Sequence, residues 1–505
     1  MKKKIIKIEN LKKLIDHLKI KKKKIVHCHG VFDVVHIGHL KHFKEAKKKG
    51  DKLIVTVTTD KFVNKGSGRP IFKHNKRIEF LSQLSCIDYL CLSDSDSAVK
   101  VLKIIRPNFY IKGQDYKIAR KDQTGKISLE KRIVENNGGK IIFTNEETFS
   151  SSNIINNNFT FNDKQLKFLR TISKKYSLQS INKIFEKAQK LKVLVIGETI
   201  IDQYNFCEAL GKSGKEPYLA LKDLYFENYL GGAAAIANNL AEFCKEIKLV
   251  SMIGEKQEHI HFIKKKIHSK IDTIFFRKKN SPTILKKRFI DNITKSKLFG
   301  IYSINDDNIS KKDDEAIFKY IKKIINKFDL IIISDYGHGF ISNKTALKIC
   351  SKKRFIALNA QINASNIGYH SLQKYKNINS IIINETELRH ELRNKNDDIY
   401  ALSKQLKNKL KTKNLLVTRG KNGAILINEN NKLIECPAYA NNVVDRVGAG
   451  DSMLSIISLL IKIGAPHDLS LLLGSFAGAA SVESIGNSTF LKKKNFLRHL
   501  EFALK

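Results

Sequence analysis

The chain has 505 residues, 42% of them apolar, and its 92 Lys and Arg against 49 Asp and Glu leave a formal charge of +43. That length is too great for one compact core and suggests two to four domains at about 150 residues each. No run reaches the roughly 18 apolar residues of a membrane span, and no helix-turn-helix, zinc finger or aromatic RNA-binding signature accompanies the basic charge. No membrane partner and no specific nucleic-acid partner are therefore expected. The lysines are spread along the whole chain among Ile and Asn residues, a pattern of A/T-rich coding rather than of a binding patch. Seven scattered cysteines without a Cys-x-x-Cys pair suit a reducing compartment. Residues Met1 to Ile20 are basic but broken by Glu9, Asn10, Asp16 and His17, which is no signal-peptide core, so a cytoplasmic location is expected.

From Lys24 to Asn145 the chain alternates apolar runs with amphipathic ones. The predicted strands are Lys24 to His27, Leu53 to Thr58, Tyr89 to Leu92, Phe109 to Ile111 and Ile141 to Phe143; helices are predicted up to about Lys49, near Lys76 to Leu84 and near Ala98 to Ile105. Such alternation implies a parallel sheet covered on both faces, with ligands beyond the carboxyl ends of the strands. At the first strand end stands His-Cys-His-Gly-Val-Phe-Asp-Val-Val-His-Ile-Gly-His, residues 27 to 39. Gly30 lets backbone approach a ligand, and His36 and His39 share one face at a helix N-terminus, where free N–H groups favour phosphates. On its own, His-x-Gly-His also fits a surface pair or half a metal site.

Gly30-Val31-Phe32-Asp33, His36-Ile37-Gly38-His39, Arg69-Pro70, Arg77, Lys112-Gly113-Gln114-Asp115-Tyr116 and Phe149-Ser150-Ser151-Ser152 together resemble the cytidylyltransferase family of nucleotidyltransferases. The resemblance implies a Rossmann-like fold. It makes His36, His39 and Lys112 catalytic, and Gly30, Phe32, Lys47, Arg77, Gly113, Asp115 and Ser150 to Ser152 nucleotide-binding. Lys47 also reads as a solvated surface lysine, and the serines as a helix cap.

From Asn156 to about Lys190 a helical connector is predicted, with Ile181, Ile184, Phe185 and Ala188 on one face. The domains are then 1 to 155, the connector, and 191 to 505, which begins with the strand Val193 to Ile196. Strand ends follow at Gly197 to Asp202, Ser334 to Gly337, Ile383 to Glu387 and Val417 to Gly420, with a glycine turn into a helix at Gly231 to Asn238. Near the C-terminus, Val447-Gly448-Ala449-Gly450-Asp451 precedes Met453 to Leu460, which reads as a buried helix. A Gly-Ala-Gly turn aims backbone N–H groups at one point and can hold phosphoryl oxygens, and Asp451 beside it could take a proton from a sugar hydroxyl. A tight turn with an Asp cap explains that tetrapeptide equally well.

Taken together, these motifs resemble the ribokinase-type carbohydrate kinases. The resemblance makes Asp451 the base, assigns Gly448, Ala449, Gly450, Asn384, Glu387, Thr418 and Gly420 to the nucleotide, Glu387 to the metal, and Asp202, Gly231, Gly232, Asn238 and Asp335 to the sugar. It implies Mg²⁺ and ATP as phosphoryl donor. The expected fold class is α/β, two domains, each a parallel-sheet sandwich.

A chain carrying both resembles the bifunctional ADP-heptose synthases. That implies phosphorylation of a sugar phosphate followed by nucleotidyl transfer from ATP or CTP, with a homodimer compatible with it. Departures cluster around substrate: the domain order is reversed, Glu198 stands where Asp is common, Val447 where Thr is common, Leu358 to Gln361 replaces Asp-Pro-Lys, His338 replaces Lys and His29 replaces Asn. Two alternatives stay open, a CDP-linked sugar or polyol synthase and a basic nucleic-acid-binding scaffold with inactive enzyme folds.

Overall fold

The computed structural model describes residues 4–63, 69–113, 126–144, 161–351, 354–363 and 365–504. The chain divides into two compact units, Met1–Leu166 with Leu497–Lys505, and Lys167–Phe496. The division falls inside the stretch expected as a connector.

The first unit is built on five parallel strands, β1 (Ile25–Gly30), β2 (Lys52–Thr58), β3 (Tyr89–Ser93), β4 (Phe109–Gly113) and β5 (Lys140–Thr144), in the order β3-β2-β1-β4-β5. All five predicted strands are present. Period-2 alternation sends Val26 and Cys28 of β1 to one face, against Phe43, Val55 and Ile111. Ile25 goes to the other face, with Leu11, Leu102 and Tyr110. The chain leaves β1 for β2 on one side and returns to β4 on the other. This reversal opens a crevice beyond the carboxyl ends of β1 and β4, where α/β sheets bind ligands. Helices α1 (Ile8–Ile20), α2 (Ile37–Lys47), α3 (His74–Ser82), α4 (Val99–Ile105) and α5 (Lys126–Asn136) cover the sheet. Neither α1 nor α5 was expected; in α1 the buried Leu11, Ile15 and Leu18 form an apolar stripe at helical spacing.

The second unit opens with helices Asp163–Lys175, shared with the first unit's last residues, and Leu178–Ala188. The latter is capped by Ser177, whose hydroxyl accepts from Ser180 N–H, and it buries Ile181, Phe185 and Ala188. Nine strands then form one sheet: β6 (Lys192–Gly197), β9 (Glu246–Gly254), β10 (Ile271–Lys278), β13 (Leu330–Asp335), β14 (Phe355–Ala360), β15 (Ser380–Asn384), β16 (Asn414–Thr418), β17 (Ala424–Ile427) and β18 (Leu433–Cys436), in the order β10-β9-β6-β13-β14-β15-β16-β17-β18. All are parallel except β17 and β18. Continuous apolar runs such as Leu330 to Ile333 are buried, as expected of strands covered on both faces. The helix Ala449–Lys462, apolar nearly all round, is buried as expected.

A second sheet was not expected. The chain turns at Glu198, and β7 (Thr199–Lys212) leaves the large sheet to pair with β8 (Leu219–Gly231) and β11 (Leu285–Asp291), with β12 (Lys297–Ser303) outside β11. Asp202 therefore lies inside β7 of this four-stranded sheet and not at the end of the first strand. No helix among the described residues is long and apolar enough to cross a membrane.

Candidate functional site

In the first unit, β1 delivers the chain to the crevice at Gly30. A Cβ at Gly30 would meet the Phe32 ring at 2.9 Å, so glycine is what lets Phe32 fold back beneath the strand end. His36 caps α2, its Nδ1 accepting from Gly38 N–H at 3.1 Å. His39 Nδ1 accepts from His36 N–H at 3.3 Å, and the two rings lie 4.1 Å apart. With both Nδ1 atoms used as acceptors, the neutral rings carry their protons on Nε2, which makes each a donor. Burial holds His36 below the ordinary imidazole range and so favours that neutral form. Both rings thus stand at the N-terminal end of α2, where the helix dipole favours negative charge.

The other expected residues fall in different places. Lys112 is buried, its ammonium 3.2 Å from Glu130 and 5.1 Å from the Tyr110 ring centroid; Glu130 also accepts from Tyr110 Oη and Ala98 N–H. Gly113 ends β4 with open space where a Cβ would stand. Arg77 is fully buried. Its Nε donates to Phe72 O, Nη1 to Val31 O, and Nη2 to Thr58 O and to Asp60 at 2.6 Å, so it organises loops around the crevice. Lys47 requires a correction. Eight residues along a helix is about 12 Å, and α2 runs back toward the amino ends of the strands, where Lys47 bonds Asp88 and Asp51 O. It shares the face of the histidines without reaching them. Asp115 and Ser150, Ser151 and Ser152 lie outside the described residues. His29 bonds Thr56 Oγ1 at 2.8 Å through Nδ1, with Thr58 Oγ1 3.4 Å from Nε2.

In the second unit, Asp451 stands in the first turn of the helix Ala449–Lys462. Gly448 precedes it at φ 88°, and a Cβ there would meet Asn487 Oδ1 at 2.0 Å, so both backbone and space require glycine. Gly450 is open on its Cβ side, leaving the turn accessible. Tyr336 Oη donates to Asp451 Oδ1 at 2.7 Å. Burial pushes Asp451 up to about 7, and the Tyr336 bond opposes that rise. The carbonyl of Tyr336 is held in turn by the amides of Asn363 and Asn366, each at 2.9 Å. A carboxylate whose pKa is raised toward neutrality beside a glycine turn at a helix N-terminus is suited to general-base work.

Glu198 accepts from the N–H groups of Tyr336 and His338, and burial followed by the neighbouring Asp335 pushes it up to about 7. Gly231 and Gly232 bring β8 against this corner: a Cβ at Gly231 would meet Asp202 Oδ2 at 2.4 Å, and one at Gly232 would meet Glu198 O at 2.3 Å. Asp202 is bonded by Arg288 Nη1 at 2.5 Å. Lys286, in register with Asp202, lies over the rings of Tyr302 and Tyr336. Asn384 and Glu387 form a reciprocal capping box, each side chain accepting the other's N–H at 2.8 Å. Burial pushes Glu387 up to about 7, with Asp451 contributing. Thr418 closes β16, and Gly420 follows at φ 54°.

Two sugar-side expectations are corrected. Asn238 donates to Lys266 O and accepts from His268 N–H, so its amide pins a loop. Asp335 is consumed by Tyr375 Oη and Lys374, both at 2.6 Å, and Gly337 N–H. Sequence reasoning had not singled out Tyr336, Lys286 or Arg288. The last two were marked only by basic residues at i and i+2 in a strand, which places them on one face.

Residues 190–494 match the pfkB family of carbohydrate kinases, which is more than half of the chain. The chain belongs to the pfkB carbohydrate kinase family. Residues 27–157, ahead of the pfkB segment, match the cytidylyltransferase-like family. Over 316 residues, 62% of this chain and 63% of the relative, it is 24% identical to "Bifunctional protein HldE" of Geotalea uraniireducens. Over 121 residues, 24% of this chain and 23% of the relative, it is 38% identical to the protein of that name in Citrifermentans bemidjiense. The matched stretches thus span from about a quarter to just under two thirds of these relatives. Among solved structures, phosphofructokinase-2 from Escherichia coli aligns with 62% of this chain and 99% of its own at 14% identity and a TM-score of 0.49.

Proposed function

We propose that the chain is a two-site enzyme, a pfkB kinase that phosphorylates a heptose-type sugar phosphate at its anomeric hydroxyl and a nucleotidyltransferase that couples the resulting sugar 1-phosphate to a nucleotide. The product is an ADP-heptose-like activated sugar for lipopolysaccharide or another surface polysaccharide. The observation that carries this reading is Asp451 in the first turn after Gly448, with the Tyr336 hydroxyl 2.7 Å away and burial pushing its carboxyl up to about 7. The two family matches and the bifunctional relatives support the pairing of activities, with the transferase segment first in this chain.

In the kinase site, Asp451 takes the proton of the sugar hydroxyl as that oxygen bonds the γ-phosphorus of ATP. The bond from γ-phosphorus to the bridging oxygen breaks and ADP leaves. The N–H groups of the Gly448 to Gly450 turn stabilise charge on the transferring group. Mg²⁺ is commonly bound through one or two carboxylates plus substrate phosphates and water, and Glu387, a buried carboxylate whose neighbour Asp451 raises its pKa, fits that role. Such an ion would neutralise charge on the ATP phosphates.

At the second site a sugar 1-phosphate oxygen bonds the α-phosphorus of the nucleoside triphosphate and pyrophosphate leaves. The nucleophile is already an anion, so the Nε2–H groups of His36 and His39 act by orienting and stabilising phosphoryl oxygens. The cytidylyltransferase-like match favours a second reading, with CTP as donor. Incubating the full chain with a panel of sugar phosphates, ATP and CTP, and weighing the products by mass spectrometry, tests both. A diphosphate-linked sugar of adenosine supports the first reading, one of cytidine the second, and no nucleotide sugar from any pair overturns both. Exposed Leu224, Tyr225, Phe226, Phe299 and Ile301 on β8 and β12 supply apolar surface for a homodimer, which sedimentation reads directly.

A further inference from the structure

Among the described residues, Lys278, Lys286, Arg288 and Lys374 are cationic side chains near the corner between the two sheets of the kinase unit, and all but Lys286 are satisfied. Lys278 donates to Asn305 O at 2.6 Å and to His338 O at 3.0 Å. Arg288 is paired with Asp202, and Lys374 with Asp335 and Ile341 O. Lys286 is the exception. Its side chain is buried, the residue only 7% exposed, yet among the described residues its ammonium lies over the Tyr302 and Tyr336 rings at 5.6 and 5.9 Å and meets no hydrogen-bond or ion-pair partner. Asp202, Glu198 and Asp306 face it without reaching bonding distance among the described residues, so its donors are left for a ligand. Burial holds Lys286 below the ordinary lysine range.

The location points to the ligand. Lys286 pairs in register with Asp202 on β7 and with Tyr302 on β12, on the face of β11 that also carries Arg288. Arg288 takes the hydrogen bond of Asp202, so Lys286 faces Asp202 and Asp451 with its own donors unused. The Tyr336 ring lies beneath its ammonium while the Tyr336 hydroxyl holds Asp451. One tyrosine therefore separates an anion-seeking group from the base. We propose that Lys286 binds the phosphate ester that the sugar substrate already carries, and so selects phosphorylated over unphosphorylated sugars. The inference rests on the reading of the kinase substrate as a sugar phosphate and adds the residue that enforces it. A phosphate could also come from ATP, and the test separates the two sources.

The full chain is assayed with ATP against heptose 7-phosphate and against the same heptose without its phosphate. Lys286→Met should raise KM for the phosphorylated sugar about 10- to 100-fold, the size of a lost charge-assisted hydrogen bond. KM for ATP and for the unphosphorylated sugar should stay unchanged, and Lys286→Arg should recover most of the loss. An equal loss on both sugars, a raised KM for ATP or no change overturns the proposal. If the wild type itself prefers the unphosphorylated sugar, the sugar-phosphate reading fails and Lys286 with it; if the wild type prefers the ester and Lys286→Met keeps that preference, only Lys286 fails. Thermal unfolding gives a readout independent of turnover. Lys286→Met should lose the upward shift in melting temperature that heptose 7-phosphate gives the wild type. A wild type that shows no shift, or a variant that keeps it, overturns the assignment.

Discussion

Tyr336 is the residue through which the kinase base is tuned. Its hydroxyl donates to Asp451 and favours the ionised form, while burial pushes the carboxyl up to about 7. Kinase activity should therefore fall as pH drops through about 7. In Tyr336→Phe the opposing bond is gone, Asp451 rises further, and the acid limb of the kcat profile should move to higher pH; an unmoved limb would show that the phenol only packs. Glu387 gives a stability prediction. Its folded value of about 7 lies above the ordinary carboxylate value, so the native state holds the extra proton and stability is lost as pH rises through about 7. Glu387→Gln keeps the capping geometry, since Gln serves at that position of the box. It should gain up to about 3 kcal/mol at pH 8 relative to pH 5 in denaturant unfolding while weakening Mg²⁺-dependent turnover.

At the scale of elements, the Gly448 turn and the helix behind it act as one part. Gly448→Ala meets both a left-handed backbone and Asn487, whose amide is itself bonded to Leu230 O. Backbone strain of about 1–2 kcal/mol should lower the melting temperature by a few degrees and cut kcat for sugar phosphorylation tenfold or more, which calorimetry and steady-state kinetics would read. The alternation of strands and helices was legible because buried parallel strands are unbroken apolar runs, as in Val193 to Ile196 and Leu330 to Ile333. The motifs at their carboxyl ends were legible because glycine, histidine and aspartate there have few other uses. The four-stranded sheet was not legible: one residue, Glu198, separates β6 from β7, and no turn signal marks the change of sheet. Helical periodicity likewise gave the direction in which Lys47 points and not its distance along the axis. The charge states of Glu198, Glu387 and Asp451 depend on burial by segments far away in the chain, which local pattern does not carry.

At the scale of the whole molecule, two compact units each hold one candidate site. Asp451→Asn should abolish sugar phosphorylation and leave nucleotidyl transfer from supplied sugar 1-phosphate intact, measured by pyrophosphate release; loss of both together would refute two separate sites. In the first unit, one guanidinium ties three stretches that are far apart in sequence: Arg77 holds Val31 O after β1, Thr58 O and Asp60 after β2, and Phe72 O before α3. Asp33 adds the N–H groups of Ile71 and Phe72, and Asp60 that of His74. Arg77 and Asp33 both hold the segment before α3, so these amides should open together and show one common opening free energy in hydrogen exchange. In Arg77→Lys, which cannot make the forked contacts, the opening free energies should spread apart, and the crevice would breathe loop by loop instead of all at once.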